Sequence, residues 1–164
     1  MRFLIILLFF FLKGITQLSF ETIKMSKSVE ETSGLEILGN YLITHNDSGD
    51  KPKLYIINQE GEKIMEIELN QLKNKDWEDI AADSENYYIA DTGNNYGTRE
   101  NLKIYILDKD FFLQGKISIR YQSQTTFSRE PKNKYDAEAL AVVGDQWVLF
   151  SKNRKTLEYE INSF

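Results

Sequence analysis

The sequence predicts an all-β chain built from β-propeller blades of four antiparallel strands, with about three blades present. Three observations carry this prediction. A local pattern of short apolar strand, turn, second strand and polar loop occurs three times. Thr32-Ser33-Gly34-Leu35-Glu36-Ile37-Leu38 leads to Tyr41-Leu42-Ile43-Thr44 and then His45-Asn46-Asp47-Ser48-Gly49. Asp76-Trp77-Glu78-Asp79-Ile80-Ala81 leads to Tyr87-Tyr88-Ile89-Ala90 and then Asp91-Thr92-Gly93-Asn94-Asn95. Asp136-Ala137-Glu138-Ala139-Leu140 leads to Trp147-Val148-Leu149-Phe150 and then Ser151-Lys152-Asn153-Arg154. The second observation is spacing: matching Leu35, Ile80 and Leu140 gives steps of 45 and 60 residues, in the range of units holding about four short strands. The third is alternation of apolar and polar residues without a sustained helical stripe.

Residues 1–18 read as an export signal. Arg2 precedes ten apolar residues, 3–12, which is too short for a bilayer core of about 20 residues and suits the h-region of a signal peptide. A buried strand or an anchor is the alternative. The propeller region is then 19–164, with blades near 30–70, 75–121 and 135–164. Residues 19–29 alternate loosely and predict a lead-in strand. In the first repeat, Lys53-Leu54-Tyr55-Ile56-Ile57 is a strand, Gly61 suits a turn with positive φ, and residues 63–69 return with alternation. The second repeat has Leu102-Lys103-Ile104-Tyr105-Ile106-Leu107 as third strand and residues 116–121 as fourth. A longer polar link, 122–134, explains the longer second step. The third repeat reaches a third strand near 156–161. About three blades fall short of the four to eight of a closed ring. The chain is therefore read as part of a longer propeller or as one of two copies that complete a ring; a sandwich is the remaining option.

The 164 residues carry a net charge of −5. An acidic chain whose longest basic cluster, Arg129 to Lys134, is broken by Glu130 and Pro131 argues against nucleic acid as partner, because phosphate binding needs a basic face. Aromatics at 13% suit strands. There is no cysteine, which removes disulfides and thiolate metal sites. With the leader removed, nothing predicts a transmembrane segment, and the expected location is secreted, periplasmic or on the cell surface.

The runs Glu31-Thr32-Ser33-Gly34-Leu35, Thr44-His45-Asn46-Asp47-Ser48-Gly49, Asp76-Trp77-Glu78-Asp79-Ile80-Ala81 and Ile89-Ala90-Asp91-Thr92-Gly93-Asn94-Asn95 resemble secreted bacterial six-bladed propellers. The likeness is to the SdiA-regulated and phytase-like (esterase-like) propeller families, over residues 30–161. It implies a partial six-bladed propeller that lacks its C-terminal half. It also implies a calcium-dependent hydrolase of esters or phosphoesters as one function, since related propellers hold calcium with carboxylates at the central channel.

On the residues themselves, the innermost strands place Glu78, Asp79, Asp136 and Glu138 at their starts, and Asp91 at a loop exit. These five are the candidate metal ligands, for calcium, which takes about 6–8 oxygens. Asn46, Asp47, Trp77, Asp91, Asn94, Asn95, Lys152 and Arg154 are the candidate ligand contacts on the loop face. Each has a structural alternative. Asp and Asn in tight loops commonly satisfy backbone amides, and Glu78 and Glu138 are placed to accept amides from a neighbouring blade. Trp77 and Trp147 suit core positions, and Lys152 and Arg154 suit pairing with the acidic loops. His45, the only histidine, has no Gly-x-Ser-x-Gly elbow to serve. No catalytic constellation stands out. The leading reading is an exported propeller module that binds a ligand or protein through its loop face. The alternative is the calcium-dependent hydrolase.

Overall fold

The computed structural model describes residues 20–164; the expected leader, 1–18, lies outside them. Eleven strands form three antiparallel sheets among the described residues. The first sheet holds β1 (Thr32–Leu38), β2 (Tyr41–Asn46), β3 (Lys53–Ile57) and β4 (Lys63–Glu68) in chain order. The second holds β5 (Asp79–Ala82), β6 (Asn86–Asp91), β7 (Lys103–Asp108) and β8 (Leu113–Ser118). The third holds β9 (Asp136–Val143), β10 (Gln146–Asn153) and β11 (Glu158–Ser163). The first strands of successive sheets pack together, β1 against β5 and β5 against β9. Each sheet therefore meanders outward from a shared axis, as propeller blades do.

The blades are held face to face. Ile43, Leu54 and Ile56 of the first sheet share a core with Ile80, Ile89 and Leu107 of the second. On the other side of that sheet, Tyr88, Ala90 and Ile104 pack on Ala137, Leu140 and Leu149 of the third. The second sheet is thus covered on both faces, and Tyr87 to Asp91 are buried without a break, the pattern of a fully enclosed strand. The outer strand β8 alternates exposed and half-buried residues from Gln114 to Ser118, whereas β4 is exposed on both faces except at Ile67. Trp77 is fully buried between the first two blades, and its indole N–H donates to the Lys73 carbonyl at 3.1 Å. Burying a large apolar side chain of this kind contributes about 1.5–3 kcal/mol.

Closest approach between blades falls at Gly34. Its φ is +68°, and a Cβ there would lie 2.7 Å from the Ile80 nitrogen and 2.8 Å from the Asp79 Cα. The β1–β2 register slips at the same point, between Ser33 and Leu35. On the far side, the Asp79 carboxylate accepts the Ile80 amide at 2.8 Å and the Leu140 amide of β9 at 2.7 Å. Asp79 thus ties neighbouring blades by accepting an amide, a role expected of Glu78 and Glu138.

Turns explain the strand limits. Asn58 Oδ1 accepts the Glu60 and Glu62 amides, and Gly61 takes φ +79°. Asp108 Oδ1 repeats this with the Asp110 and Phe112 amides, and Phe111 takes φ +66°. Phe111 stacks on Tyr87 at 5.2 Å, a contact that offsets the strain of a non-glycine residue there. Because this turn ends at Phe112, β8 starts earlier than the expected 116–121. Asn153 Oδ1 likewise holds the Lys155 and Thr156 amides, Leu157 takes φ +62°, and β11 starts later than the expected 156. The lead-in expected at 19–29 is not a strand in its described part. It holds a 3-10 turn, Lys27–Val29, and packs Met25 and Val29 on Tyr55 and Ile57. Trp147, expected in the core, is half-buried, with Tyr88 at 5.4 Å and Phe164 at 6.1 Å.

Candidate functional site

The loop face gathers the acids that precede β5 and β9 and those that follow β2 and β6. Its centre is Asp47, Asp76 and Glu78. All three are half-buried, and one carboxylate oxygen from each lies within 4.8 Å of the others. Two oxygens on opposite sides of a calcium at about 2.4 Å stand about 4.8 Å apart, so the spacing fits one cation. Asp76 and Glu78 are two residues apart on an extended chain and so point to the same side.

The backbone around each acid is fixed. The Asp47 amide donates to the Glu31 carbonyl at 2.9 Å, and Asn74 Nδ2 donates to the Asp47 carbonyl at 2.5 Å. The Asp76 amide donates to Asp91 Oδ1 at 3.2 Å, and the Gly93 amide to the Asp76 carbonyl at 3.2 Å. The Glu78 amide donates to the Ala90 carbonyl at 2.9 Å, and Ser33 Oγ to the Glu78 carbonyl at 2.6 Å. Gly93 completes the seat. A Cβ on it would lie under 3.0 Å from Glu78 Oε1 and the Asp76 carboxylate, so a side chain there would have to push both carboxylates aside.

Among the described residues no ammonium or guanidinium forms an ion pair with any of these three acids. Their protonation follows. Burial, then the charges of Asp47, Glu138, Asp76 and Asp136, push the Glu78 carboxyl up to about 9. Burial, then Asp47, pushes Asp76 up to about 6, against the pull of Arg99. Desolvation and like charge both disfavour the ionised form.

The other acids are neutralised in place. Asp91 is fully buried, with Arg99 Nη2 at 2.7 Å and Lys103 Nζ at 3.3 Å. Arg99 also donates to the Gly93 and Asp91 carbonyls and to Asn101 Oδ1. Asp136 is fully buried, with Arg154 at 2.6 Å and the Asn94 amide on its second oxygen at 2.6 Å. Glu138 meets Arg154 at 3.3 Å and Lys152 at 3.7 Å. Burial and then the neighbouring Asp136 still push the Glu138 carboxyl upward.

Of the five expected metal ligands, Glu78 stands in the unpaired cluster. Asp79 is engaged with two amides, and Asp91, Asp136 and Glu138 with cations. Of the loop candidates, Asp47 joins Glu78. Asn94 is buried, donates to the Tyr135 carbonyl at 3.1 Å and accepts the Arg99 amide at 2.9 Å. Asn95 is exposed and bonds Arg154. Asn46 Nδ2 donates to the Ser28 carbonyl and to Asp50, and its buried Oδ1 has no donor among the described residues. Trp77 lies in the core. Two residues went unread in the sequence. Asp76 carried a signal, an acid two positions before Glu78. Arg99 carried a weaker one, as the only cation among residues 92–101.

His45 is fully buried, with its ring 5.5 Å from Trp77 in edge contact. Burial lowers its pKa, and no serine hydroxyl bonds to it among the described residues. No triad forms around it.

No protein-family model and no curated protein matches the sequence. Among solved structures, the WD40 domain of Neurospora crassa Pan2 is similar at a TM-score of 0.45 and 8% identity, over 81% of this chain and 35% of that one. The chain thus spans about a third of the length of that domain.

Proposed function

We propose that this chain is an exported β-propeller module that binds a positively charged ligand on its loop face, at Asp47, Asp76 and Glu78. The carrying observation is three convergent carboxylates with no cation paired to them among the described residues. The Gly93 seat supports it, because that close fit serves no packing of apolar groups. Export rests on Arg2 and the apolar residues 3–12. On its motifs, the proposal extends to membership of the secreted bacterial propellers that the sequence resembles. Hard oxygen ligands favour calcium. A lysine or arginine side chain of a partner protein offers a charge of the same sign.

The hydrolytic reading uses the same seat. A calcium ion there would polarise an ester or phosphoester oxygen. The observation that favours it is the spacing of the three carboxylates, which fits one cation.

The test is calorimetric titration of the full chain with calcium chloride and, separately, with a lysine-rich peptide, for wild type and for Asp76→Asn with Glu78→Gln. The expected result is one site per chain for one of the two probes, lost in the variant. Binding of neither probe sinks the proposal. Calcium binding together with turnover of ester or phosphoester substrates selects the hydrolytic reading.

A further inference from the structure

Between β8 and β9 the chain runs through residues 119–135, 17 positions, without strand or helix. Irregular connections longer than about 12–15 residues are uncommon in compact domains and are mostly functional or disordered. This one is ordered by amides. Gln124 is 3% exposed, and its Nε2 donates to the Gly97 carbonyl at 2.7 Å. Asn133 is 5% exposed and donates to the carbonyls of Asn94, Asn95 and Glu130 at 2.9–3.3 Å. Its Oδ1 accepts the Tyr135 amide at 2.8 Å. The Glu130 amide reaches the Tyr96 carbonyl at 2.8 Å, and the Arg154 amide reaches the Asn133 carbonyl at 2.9 Å. Two nearly buried carboxamides thus tie the link to the loop after β6, and its end is tied to the turn after β10.

The link, so fixed, borders an open cleft of about 440 Å³ with Gln124 and Asn133 in its wall. That volume lies in the range of small-molecule sites, about 300–1,000 Å³. Lys132, Lys134 and Lys155 stand around it with Glu130 as the single acid, and Thr126 and Ser128 add hydroxyls. Three cations and one acid leave the cleft two charges positive, on a chain of net charge −5. Lys134 is shared with Glu160 at 3.9 Å. Lys132 and Lys155 are exposed and have no ion pair among the described residues. Local positive charge on an acidic protein concentrates anions at that place. The Thr126 and Ser128 hydroxyls, exposed in the wall, donate to and accept from sugar hydroxyls equally well.

We propose that this cleft is a second binding site, for a small polyol that carries an oxyanion: a sugar phosphate or a sugar acid. The lysines take the oxyanion, and the Thr126 and Ser128 hydroxyls take the ring hydroxyls, on a wall that Gln124 and Asn133 hold in place. The site is separate from the acidic seat and stands or falls without it.

The experiment titrates the full chain with glucose 6-phosphate, glucuronate and glucose, for wild type, Lys132→Glu with Lys155→Glu, and Glu78→Gln. The expected result is one site per chain for at least one of the two anions, weakened by added salt. Glucose binds at least about tenfold more weakly, and the double charge reversal costs the anion at least about tenfold. Glu78→Gln leaves this affinity unchanged. Both lysines are exposed, so the double variant keeps its circular dichroism spectrum. Which anion binds identifies the source. No binding of either anion at millimolar concentration, equal binding of glucose, or indifference to the double reversal overturns the proposal.

Discussion

The two junctions between blades use the same acids differently. Where the second and third sheets meet, Asp136 and Glu138 share Arg154, and Lys152 stands at 3.7 Å from Glu138. Where the first and second meet, Asp47, Asp76 and Glu78 crowd together with no paired cation among the described residues. Asp91, next to this cluster, takes two cations for itself. One strand-and-loop pattern therefore gives scaffold at one junction and an unneutralised seat at the other. The carboxylates do not decide which; the cations within reach do. A buried pair with all its hydrogen bonds made is structure, whereas a cluster left with raised pKa values has free energy to gain from a cation.

The comparison breaks most directly at Arg99. Arg99→Met leaves Asp91 fully buried with only Lys103 at 3.3 Å and frees the Gly93 carbonyl. Removing one partner of a buried pair costs about 3–5 kcal/mol. Urea unfolding measures it, and Asp91→Asn in the same chain should restore part of the loss. A cost below about 1 kcal/mol would show that the pair behaves like a surface one and would remove the contrast. Gly93→Ala should come next. The new methyl must displace the Asp76 and Glu78 carboxylates, at about 1–3 kcal/mol for overpacking, and cation binding at the seat should be lost with it. Unchanged binding would place the cation elsewhere.

Much of the fold was legible, because alternation and the recurrence of Leu35, Ile80 and Leu140 are local signals. The second sheet was clearest: Tyr87 to Ala90 is an unbroken apolar run, and it is the strand covered on both faces. Strand limits were less legible. They are set by Asp108 and Asn153 turns that hold Phe111 and Leu157 in left-handed backbone, and neither residue type advertises that conformation. In the site, Asp47 and Glu78 could be read as acids on a loop face. Their isolation could not, since it depends on Arg99 and Arg154 folding back over residues 8 and 18 positions away in sequence. Asp79 was misread for a related reason. Which of two adjacent acids accepts the Leu140 amide follows from the opposite sides to which they point on an extended chain.

pH sharpens the comparison more gently. The Glu78 carboxyl titrates near 9 in the folded chain and near 4.3 when unfolded. Above pH 4.3 the unfolded chain has lost this proton and the folded chain still holds it. Stability contributed by Glu78 therefore falls as pH rises toward 9 and levels off beyond. Asp76, raised to about 6, adds a decline at the acidic end of the same window. Calorimetric melting of the full chain in chelator should show a midpoint that drops between pH 5 and 9, with a shallower drop in Glu78→Gln. Saturating calcium should remove much of the drop, since it binds the ionised form. A midpoint that rises across this range would mean the cluster is neutralised already.

The smallest effect belongs to Lys152. Its ammonium is 3.7 Å from Glu138, and the two side chains are 33% and 30% exposed. Arg154 also holds Glu138, at 3.3 Å. Solvent screens such a pair and a second cation backs it up, so Lys152→Ala should cost about 0.5 kcal/mol or less. Raising the salt concentration should shrink even that, because a half-exposed pair lies within reach of counterions. The same salt series on Arg99→Met should leave its cost nearly constant, since Arg99 and Asp91 are 8% and 0% exposed. If the two variants respond alike to salt, burial is not what separates a structural acid from an available one. The seat at Asp47, Asp76 and Glu78 would then lose its claim to be different from the acids around it.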